Sequence, residues 1–294
     1  MKLNLHLVRI FYQIVESQSF TKAAEKLFIS QSAVSKAIRE LETQLGLSLI
    51  ERNMAGVKKN RTIKLTEDGR ILFEHARAIF SLEKVAIDDL QARIGLKQGK
   101  LRVGASTTVA SYWLANYVTA FHQKYPNIEL NIKVGNTEMM RQALINCDID
   151  LAIVEGEVDD QRIHREVWQQ EELSIITSPD MNLSLKELSN QLWLVREQGS
   201  GTYKVTENML QTLNVKPKQR LIMASNEGIA RMVACGAGVA ILPACIVEDL
   251  ITLKKVKVLQ LPQAKKLIRA LYLITLQERP ISTLLQRFIE ELKR

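Results

Sequence analysis

Five polar side chains near the N-terminus have residue types and a spacing that suit recognition of DNA bases. They are Gln31, Ser32, Ser35, Lys36 and Arg39. Glutamine can hydrogen-bond the edge of adenine, and lysine or arginine can reach guanine O6 and N7 or a phosphate. Short serine side chains let the backbone approach its partner, and the N-terminus of a helix favours a nearby phosphate. We therefore expect these residues to form a DNA-reading surface.

Three helices are expected to position this surface. Helical spacing predicts a first apolar stripe made of Leu7, Ile10, Phe11, Ile14 and Val15. Thr21 is expected to cap a second helix and is included among the DNA-contacting residues. Ser30 is expected to cap the third helix, which Gly46 ends. The buried face of that helix is predicted to be Val34, Ile38, Leu41 and Leu45. Two short helices joined by a tight turn have the geometry that places a helix end in the major groove.

A basic segment follows the third helix. Two β-like stretches, 47–52 and 62–65, flank a loop and predict a hairpin, or wing, beside the reading helix. The cations expected on the DNA phosphates are Arg52, Lys58, Lys59, Arg61 and Lys64. The alternative is an ordinary solvated loop.

The charge distribution agrees with a DNA-facing N-terminal module. The 294-residue chain holds 40 Lys and Arg against 32 Asp and Glu, a net charge of +8. Residues 1–66 hold 11 basic residues against 5 acidic ones, which gives +6, so the other 228 residues (29 against 27) contribute only +2. This asymmetry predicts that the first module meets a polyanion and the remainder does not. The alternative is a basic surface that only aids solubility.

One string of residues carries a family resemblance. It runs Phe20-Thr21-x-Ala23-Ala24-x-x-Leu27-x-x-Ser30-Gln31-Ser32-Ala33-Val34-Ser35-x-x-Ile38-x-x-Leu41-Glu42-x-x-Leu45-Gly46-x-x-Leu49 and closes with Leu65-Thr66-Glu67-x-Gly69. With it, the run from Phe11 to Leu72 resembles the winged helix-turn-helix of LysR-type transcriptional regulators. Two features depart from that pattern: Ser32 stands where the family usually has proline, and the stretch between Arg52 and Thr66 is longer than usual.

A long helix is predicted after the wing. From Thr66 to about Ile94 there is no proline, and Gly69 is the one glycine. Its narrow apolar stripe, which needs a partner surface, includes Leu72, Ala76, Ile79, Ala86 and Leu90. The alternative is that the helix packs on its own chain. The resemblance implies dimerisation through this linker, in a homodimer or homotetramer that binds a pseudo-palindromic operator on double-stranded DNA.

The rest of the chain alternates strands with helices from Lys100 onward. Three strands and two helices between Leu101 and Val154, joined by short loops, predict a parallel, doubly wound sheet. The resemblance implies a two-lobed α/β effector domain similar to periplasmic binding proteins. The expected fold is therefore an all-α winged helix-turn-helix, a linker helix and this α/β domain. The predicted domains are 1–65, 66–98 and 99–294, with lobe I at about 99–166 and 266–294 and lobe II at about 167–265.

Four loops of the α/β domain are candidates for holding a small molecule. Each follows a strand and precedes a helix, where ligands of open α/β sheets bind. Their residues are Ser106, Thr107, Thr108, Asn136, Thr137, Ser200, Gly201, Thr202, Ser225 and Asn226. Helix N-termini favour an anionic group, so the predicted partner is a small anionic metabolite. The alternative is four ordinary helix caps; convergence on one cleft is implied by the resemblance. Thr107 and Thr202 are the leading candidates.

The sequence offers no support for an enzyme. Four scattered histidines and three cysteines lack metal-ligand spacing, and Gly199-x-Gly201 lacks the third glycine of a dinucleotide fingerprint. No Gly-x-Ser-x-Gly nucleophile motif occurs. We expect no catalytic residue, metal or cofactor other than the small-molecule effector. RNA polymerase is a candidate further partner of the predicted regulator.

Two alternative functions are a redox-sensing regulator and a non-regulatory binding protein. The first would use Cys235 and Cys245, although their apolar surroundings suit inert thiols. The second would need an export signal, whereas His6, Arg9 and Gln13 interrupt any apolar run at the N-terminus. No stretch is long and apolar enough to predict a membrane span. The expected location is the cytoplasm, in association with the nucleoid.

Overall fold

The computed structural model of the chain describes residues 3–51, 63–93, 99–260 and 267–294. Two compact units, Met1–Lys84 and Val85–Arg294, are separated by the pattern of internal contacts. We call them the N-terminal and C-terminal units. Within the described residues, no helix has the length and apolarity needed to cross a membrane.

The N-terminal unit is built on three helices, α1 (Leu5–Ser17), α2 (Phe20–Leu27) and α3 (Gln31–Leu45). The predicted stripe of α1 is confirmed, since all five of its residues are buried. On α3, Val34, Ile38 and Leu41 are buried, and Ala37 joins them. The prediction of Thr21 as the cap of α2 was wrong: Ser19 caps α2 by accepting a hydrogen bond from the Lys22 N–H group. Ser19 has the extended backbone that an N-cap requires, with φ −163°.

The base of the predicted wing is an antiparallel β-bridge between Ile50 and Leu65. The Glu51 N–H group donates to the Lys64 carbonyl (2.9 Å), and the Thr66 N–H group donates to the Leu49 carbonyl (3.1 Å). The rest of the wing, with Arg52, Lys58, Lys59 and Arg61, lies outside the described residues.

Helix α4 (Glu67–Arg93) has 27 residues, as the absence of proline predicted. Its first half packs on α1: the ring of Tyr12 lies 5.4 Å from that of Phe73 and 5.3 Å from that of Phe80. Ala76 is fully buried in the same cluster, and Leu72 packs against that cluster. Ala76 was therefore wrongly predicted as a dimer contact, because it has no surface left to offer. Leu90, by contrast, is 66% exposed.

The C-terminal unit alternates strands and helices. Its strands are β1 (Gly99–Ser106), β2 (Ile128–Gly135), β3 (Leu151–Glu155), β4 (Ile163–Thr177), β5 (Leu192–Val195), β6 (Gln219–Ile222), β7 (Ala240–Pro243), β8 (Lys257–Val258) and β9 (Leu267–Leu276). Its helices are α5 (Leu114–Lys124), α6 (Thr137–Ile145), α7 (Gly201–Thr212), α8 (Asn226–Ala234), α9 (Ala244–Thr252) and α10 (Thr283–Leu292). A π-helical turn, Val109–Trp113, leads into α5.

The sheet is mixed: the predicted parallel arrangement is confirmed for β1, β2 and β3, and β9 adds antiparallel pairs with β3 and β4. Strands run in the order β2-β1-β3-β9-β4-β7, with β8 beside β4, and β5 pairs with β6. Pairs β2–β1, β1–β3 and β5–β6 are parallel, whereas β9 is antiparallel to both β3 and β4. The sheet is mixed because β4 and β9 pair antiparallel over most of their length.

Two groups of apolar clusters define the lobes of this unit. One group packs α5, α6 and α10 against β1–β3, and the other packs α7–α9 against β5–β7. We call the first set of elements, with its loops, lobe I and the second set, with β8, lobe II. Strands β4 and β9 contribute to both. The residue boundaries predicted for the domains and lobes stay a prediction.

Candidate nucleic-acid interface and ligand cleft

The N-terminal half of α3 presents the predicted DNA-reading side chains to solvent. Ser30 caps the helix by accepting from the Ala33 N–H group at 3.2 Å. Gln31, Ser32, Lys36 and Arg39 are exposed, and Ser35 is half-buried. Gln31 Nε2 donates to Ser35 Oγ (3.0 Å), while the hydroxyls of Ser30 and Ser32 lie 2.9 Å apart. The helix end therefore carries a short polar network. Its side chains can exchange these hydrogen bonds for hydrogen bonds to base edges.

Glu42 connects α3 to the base of the wing, a role that the sequence did not reveal. Its Oε1 accepts from the Leu49 N–H group at 2.8 Å, and Leu49 is fully buried. Charge-assisted hydrogen bonds of this kind are about twice as strong as neutral ones. Lys64, at the far side of the same bridge, is exposed. Glu42 thus positions a basic side chain beside the reading helix.

The ends of several strands meet between the lobes, as the cleft prediction requires. Asn226 Nδ2, from lobe II, donates to Thr108 Oγ1 of lobe I at 3.0 Å. Arg196 Nη1, directly after β5, donates to Thr107 Oγ1 at 3.4 Å. Ser106, at the end of β1, is fully buried, and its Oγ has no hydrogen-bond partner among the described residues.

The loop before α6 lies against the loop before α7. The Glu138 N–H group donates to the Gly199 carbonyl (3.1 Å), and Thr137 Oγ1 donates to the Glu155 carbonyl (2.9 Å). Gly201 fits because it lacks a side chain: a Cβ there would lie 2.6 Å from the Glu155 carbonyl oxygen. The first turn of α7 is therefore held against the end of β3.

Three of the predicted loop residues also serve as ordinary helix caps. Asn136 accepts from the Met139 N–H group, Ser200 from that of Thr202 and Ser225 from that of Gly228. The helix-cap interpretation is therefore correct for these three residues, and the ligand-binding interpretation stays a prediction. They cap their helices, and those helix ends lie around one cleft.

A buried ionic cluster, missed by the sequence analysis, lies beside the cleft. Arg269 on β9 donates from Nε to Glu171 Oε1 (2.6 Å) and from Nη1 to Thr202 Oγ1 (2.9 Å), and its Nη2 is 3.5 Å from Glu155 Oε1. Burial raises the pKa of Glu171; Arg269 opposes this rise, and the charge of Glu155 adds to it. Thr202 is only 1% exposed. Its hydroxyl thus binds Arg269 in this structure instead of facing an open space. The sequence feature that could have indicated this cluster is Arg269, a single arginine within the apolar strand β9.

A second ion pair closes the lobe II side of the cleft. Arg196 is 2% exposed and donates from Nε to Glu197 Oε2 (2.8 Å) and from Nη2 to Glu197 Oε1 (3.0 Å). Asn136 Nδ2 of lobe I donates to the same Oε1 at 3.0 Å. Burial alone would raise the pKa of Glu197, but the hydrogen bonds from Arg196 and Asn136 outweigh it and lower that pKa. The sequence feature that could have indicated this ion pair is the position of Arg196 and Glu197 directly after β5.

A cavity of about 390 Å³ opens at the first turns of α6 and α7. Its walls include Thr137, Glu138, Glu155 and the stretch 199–201. The cavity has the size of a small-molecule site and combines two helix N-termini with four carboxylates, including Glu157 and Asp159, and two basic side chains, Arg141 and Lys204.

The cysteines do not form a redox pair in this arrangement. Burial and then the charge of Glu171 raise the pKa of Cys245 to about 12. Its thiol donates to Glu171 Oε2 at 3.8 Å. A thiol with such a pKa is almost entirely protonated and is therefore a poor nucleophile. No cluster of three potential metal ligands occurs within the described residues.

Two family models match the chain. Residues 5–70 match the bacterial regulatory helix-turn-helix protein of the lysR family, and residues 95–294 match the LysR substrate binding domain. A curated relative, the uncharacterized HTH-type transcriptional regulator YeiE of Escherichia coli (strain K12), is 30% identical over 298 residues, which cover 99% of this chain and 97% of YeiE.

Solved structures of other proteins share the fold of this chain. A full-length OxyR variant from Pseudomonas aeruginosa superimposes with a TM-score of 0.75 at 21% identity, covering 100% of this chain and 94% of OxyR. The Synechocystis CcmR regulatory domain, in complex with 2-PG, has a TM-score of 0.61 at 27% identity and covers 67% of this chain and 96% of its own.

Proposed function

This chain belongs to the LysR family of bacterial transcriptional regulators, and we propose that α3 reads its operator while an anionic effector in the cleft controls the response. As a member, it is a DNA-binding regulator with an effector-binding domain, and not an enzyme. The observation that carries the proposal is the exposed polar half of α3, combined with the meeting of strand ends between the lobes.

Gln31 and Lys64 are proposed to contribute in different ways to DNA binding. Gln31, in the first turn of α3, contacts base edges together with Ser32, Ser35 and Lys36. Lys64 contacts phosphates, as do the wing cations Arg52, Lys58, Lys59 and Arg61, with Arg39 and Thr21 at the margins. Base contacts set sequence preference, whereas phosphate contacts set affinity and its dependence on salt.

Fluorescence anisotropy with an operator and a scrambled duplex tests this division. Footprinting upstream of the regulator's own gene would supply the operator. Gln31→Ala should reduce the preference for operator over scrambled DNA. Lys64→Ala should weaken binding to both duplexes and lower the salt slope by about one. Lys216→Ala, an exposed lysine of lobe II, is the control and should change neither. Equal binding of wild-type protein to both duplexes at moderate salt would contradict the proposal.

The effector is proposed to bind with its anionic group between the loops at 106–108, 136–137, 200–202 and 225–226. The first turns of α6 and α7 border the cavity, and helix N-termini favour anions. The CcmR regulatory domain with 2-PG is a related domain holding a small molecule. Thr107→Ala should remove the response of the footprint to effector while leaving DNA binding intact. An unchanged response would exclude Thr107 from the site.

Dimerisation is proposed to use the exposed second half of α4. Leu90 and Ala86 are exposed there, and a long helix with an apolar stripe needs a partner. Leu90→Glu should shift the mass measured by light scattering towards the monomer, whereas exposed Leu253→Glu in lobe II should not. Assembly as a dimer or tetramer, contact with RNA polymerase and association with the nucleoid belong to the same proposal.

A further inference from the structure

The carboxylate of Glu197 is held by donors from both lobes. Arg196 Nε and Nη2 approach its two oxygens at 2.8 and 3.0 Å from lobe II. Asn136 Nδ2 approaches Oε1 at 3.0 Å from lobe I. A guanidinium fork and a side-chain amide are the groups that proteins use to bind a free carboxylate or phosphate.

The two members of the pair differ in their access to solvent. The side chain of Arg196 is 2% exposed, and that of Glu197 is 25% exposed. The carboxylate can therefore leave towards solvent, whereas the guanidinium stays behind, fixed further by its hydrogen bond to Thr107. Asn136 lies against Gly199, which lines the cavity: a Cβ at Gly199 would lie 3.6 Å from Asn136 Nδ2.

Two other ion pairs in the C-terminal unit lack this combination. Arg269 and Glu171 are each 4% exposed, so neither can leave without opening the core. Arg220 and Glu207 are 37% and 34% exposed and both belong to lobe II. Among these three pairs, Glu197 alone combines a buried guanidinium, a donor from the opposite lobe and a path to solvent.

We propose that Glu197 is an internal stand-in for the effector, and that Arg196 and Asn136 form an anion subsite which the carboxylate or phosphate of the effector takes over. This inference rests on the proposed effector cleft and names the group that the cleft recognises. Exchange leaves the donors of both lobes satisfied but frees Glu197 from them. This one of several links between the lobes then runs through the effector instead of through Glu197.

Removing Glu197 should therefore create a binding site for a simple carboxylate. We would melt full-length Glu197→Ala in sodium acetate and in sodium chloride of equal ionic strength, following tryptophan fluorescence. Acetate should raise the melting temperature saturably, by about 3–6 °C at a concentration near ten times its dissociation constant. Wild-type protein and Glu207→Ala, which removes a surface pair of the same lobe, should show no difference between the two salts.

Two further variants keep the test decisive. Arg196→Met in the Glu197→Ala background should abolish the acetate effect. If Glu197→Ala does not fold, Glu197→Gln serves instead: its neutral amide holds the donors less well, so acetate should stabilise this variant more than wild type. Absence of any acetate-specific effect in both Glu197 variants would overturn the inference.

The result can be separated from the proposed function. Acetate binding needs neither operator nor natural effector. A wild-type footprint that responds to an effector, together with no acetate effect in the variants, would reject the stand-in alone. Failure of wild-type protein to prefer any DNA sequence would reject the proposed function and leave the anion subsite in place.

Discussion

Replacing Gly69 by alanine should destabilise the N-terminal unit, although alanine is the better helix former. Gly69 lies in the first turn of α4, where its N–H group donates to Thr66 Oγ1 at 2.9 Å. A Cβ at this position would lie 2.0 Å from the Leu49 carbonyl oxygen and 2.9 Å from the carbonyl carbon. Since both are backbone atoms, relief requires the α4 turn to move away from the base of the wing.

The size of the stability loss in Gly69→Ala follows from the contacts that this movement breaks. Helix propensity alone would stabilise the alanine variant by about 1 kcal/mol. Against it stand the hydrogen bond from Thr66 to the Leu49 carbonyl, worth about 1 kcal/mol, and the packing of fully buried Leu49, worth about 1.5–3 kcal/mol in full. With most of that packing lost, we expect a net loss of about 1–3 kcal/mol. For a unit of this size each kcal/mol corresponds to about 4–8 °C.

The assay can separate the two units within the intact chain. All three tryptophans, Trp113, Trp168 and Trp193, belong to the C-terminal unit. Their fluorescence should melt as in wild type, while far-UV circular dichroism loses its N-terminal component earlier. Hydrogen exchange should accelerate at the Thr66 amide. Operator affinity should fall as well, because Lys64 lies across the same bridge.

Gly46 provides the matched control. A Cβ there would meet nothing within 4 Å, but the backbone has φ +68°, which alanine adopts only at a cost of about 1 kcal/mol. Gly46→Asn should therefore recover most of the loss of Gly46→Ala. Asparagine at Gly69 should recover nothing, because the clash is with Cβ itself. A Gly69→Ala protein as stable as wild type would refute the reasoning.

Three further predictions concern single residues. Phe28 is 95% exposed with φ +55°, so Phe28→Asn should stabilise the N-terminal unit by about 1 kcal/mol in chemical denaturation; a loss of stability would contradict this. Iodoacetamide at pH 8 should alkylate exposed Cys235 well before Cys245, whose pKa of about 12 keeps it protonated; equal rates in peptide mass spectrometry would exclude that pKa. Burial raises the pKa of Glu171, opposed by Arg269, so the folded state holds this proton more tightly than the unfolded chain does. Stability of the C-terminal unit should therefore fall as pH rises from the ordinary glutamate range through the raised pKa, and Glu171→Gln should flatten that decline in fluorescence melts.

The sequence predicts the helices better than the sheet because helical periodicity is a local property. The apolar stripes of α1 and α3 and the length of α4 follow from residue spacing. Strand direction does not: the middle of β4, from His164 to Glu172, is largely polar and exposed, so it lacks the alternation that marks a half-buried strand. The long antiparallel pair of β4 and β9 was therefore missed, and with it the mixed topology.

For the cleft, too, the sequence predicts local features better than contacts between distant residues. Loops at strand ends can be recognised from the chain, and Thr107, Thr108 and Asn136 were found in this way. Arg196 and Glu197 acquire their role only through partners from the other lobe, which are 60 or more positions away. Ala76 illustrates the converse: its place on the apolar stripe was predicted correctly, but the aromatic rings of the same unit already cover it.

The arginines beside the cleft share a property that shapes how an effector binds. Arg196 is paired with Glu197, and Arg269 with Glu171 and Glu155. The guanidinium is already paired with a carboxylate. An incoming anion therefore gains only the difference in free energy between its own pair with the guanidinium and the pair that it replaces. The displaced Glu197 remains attached to the chain and competes at the high effective concentration of a tethered ligand. Glu197→Ala should therefore tighten effector binding, whereas Arg196→Met should weaken it, and the opposite signs distinguish an exchanged anion from an ordinary lost contact.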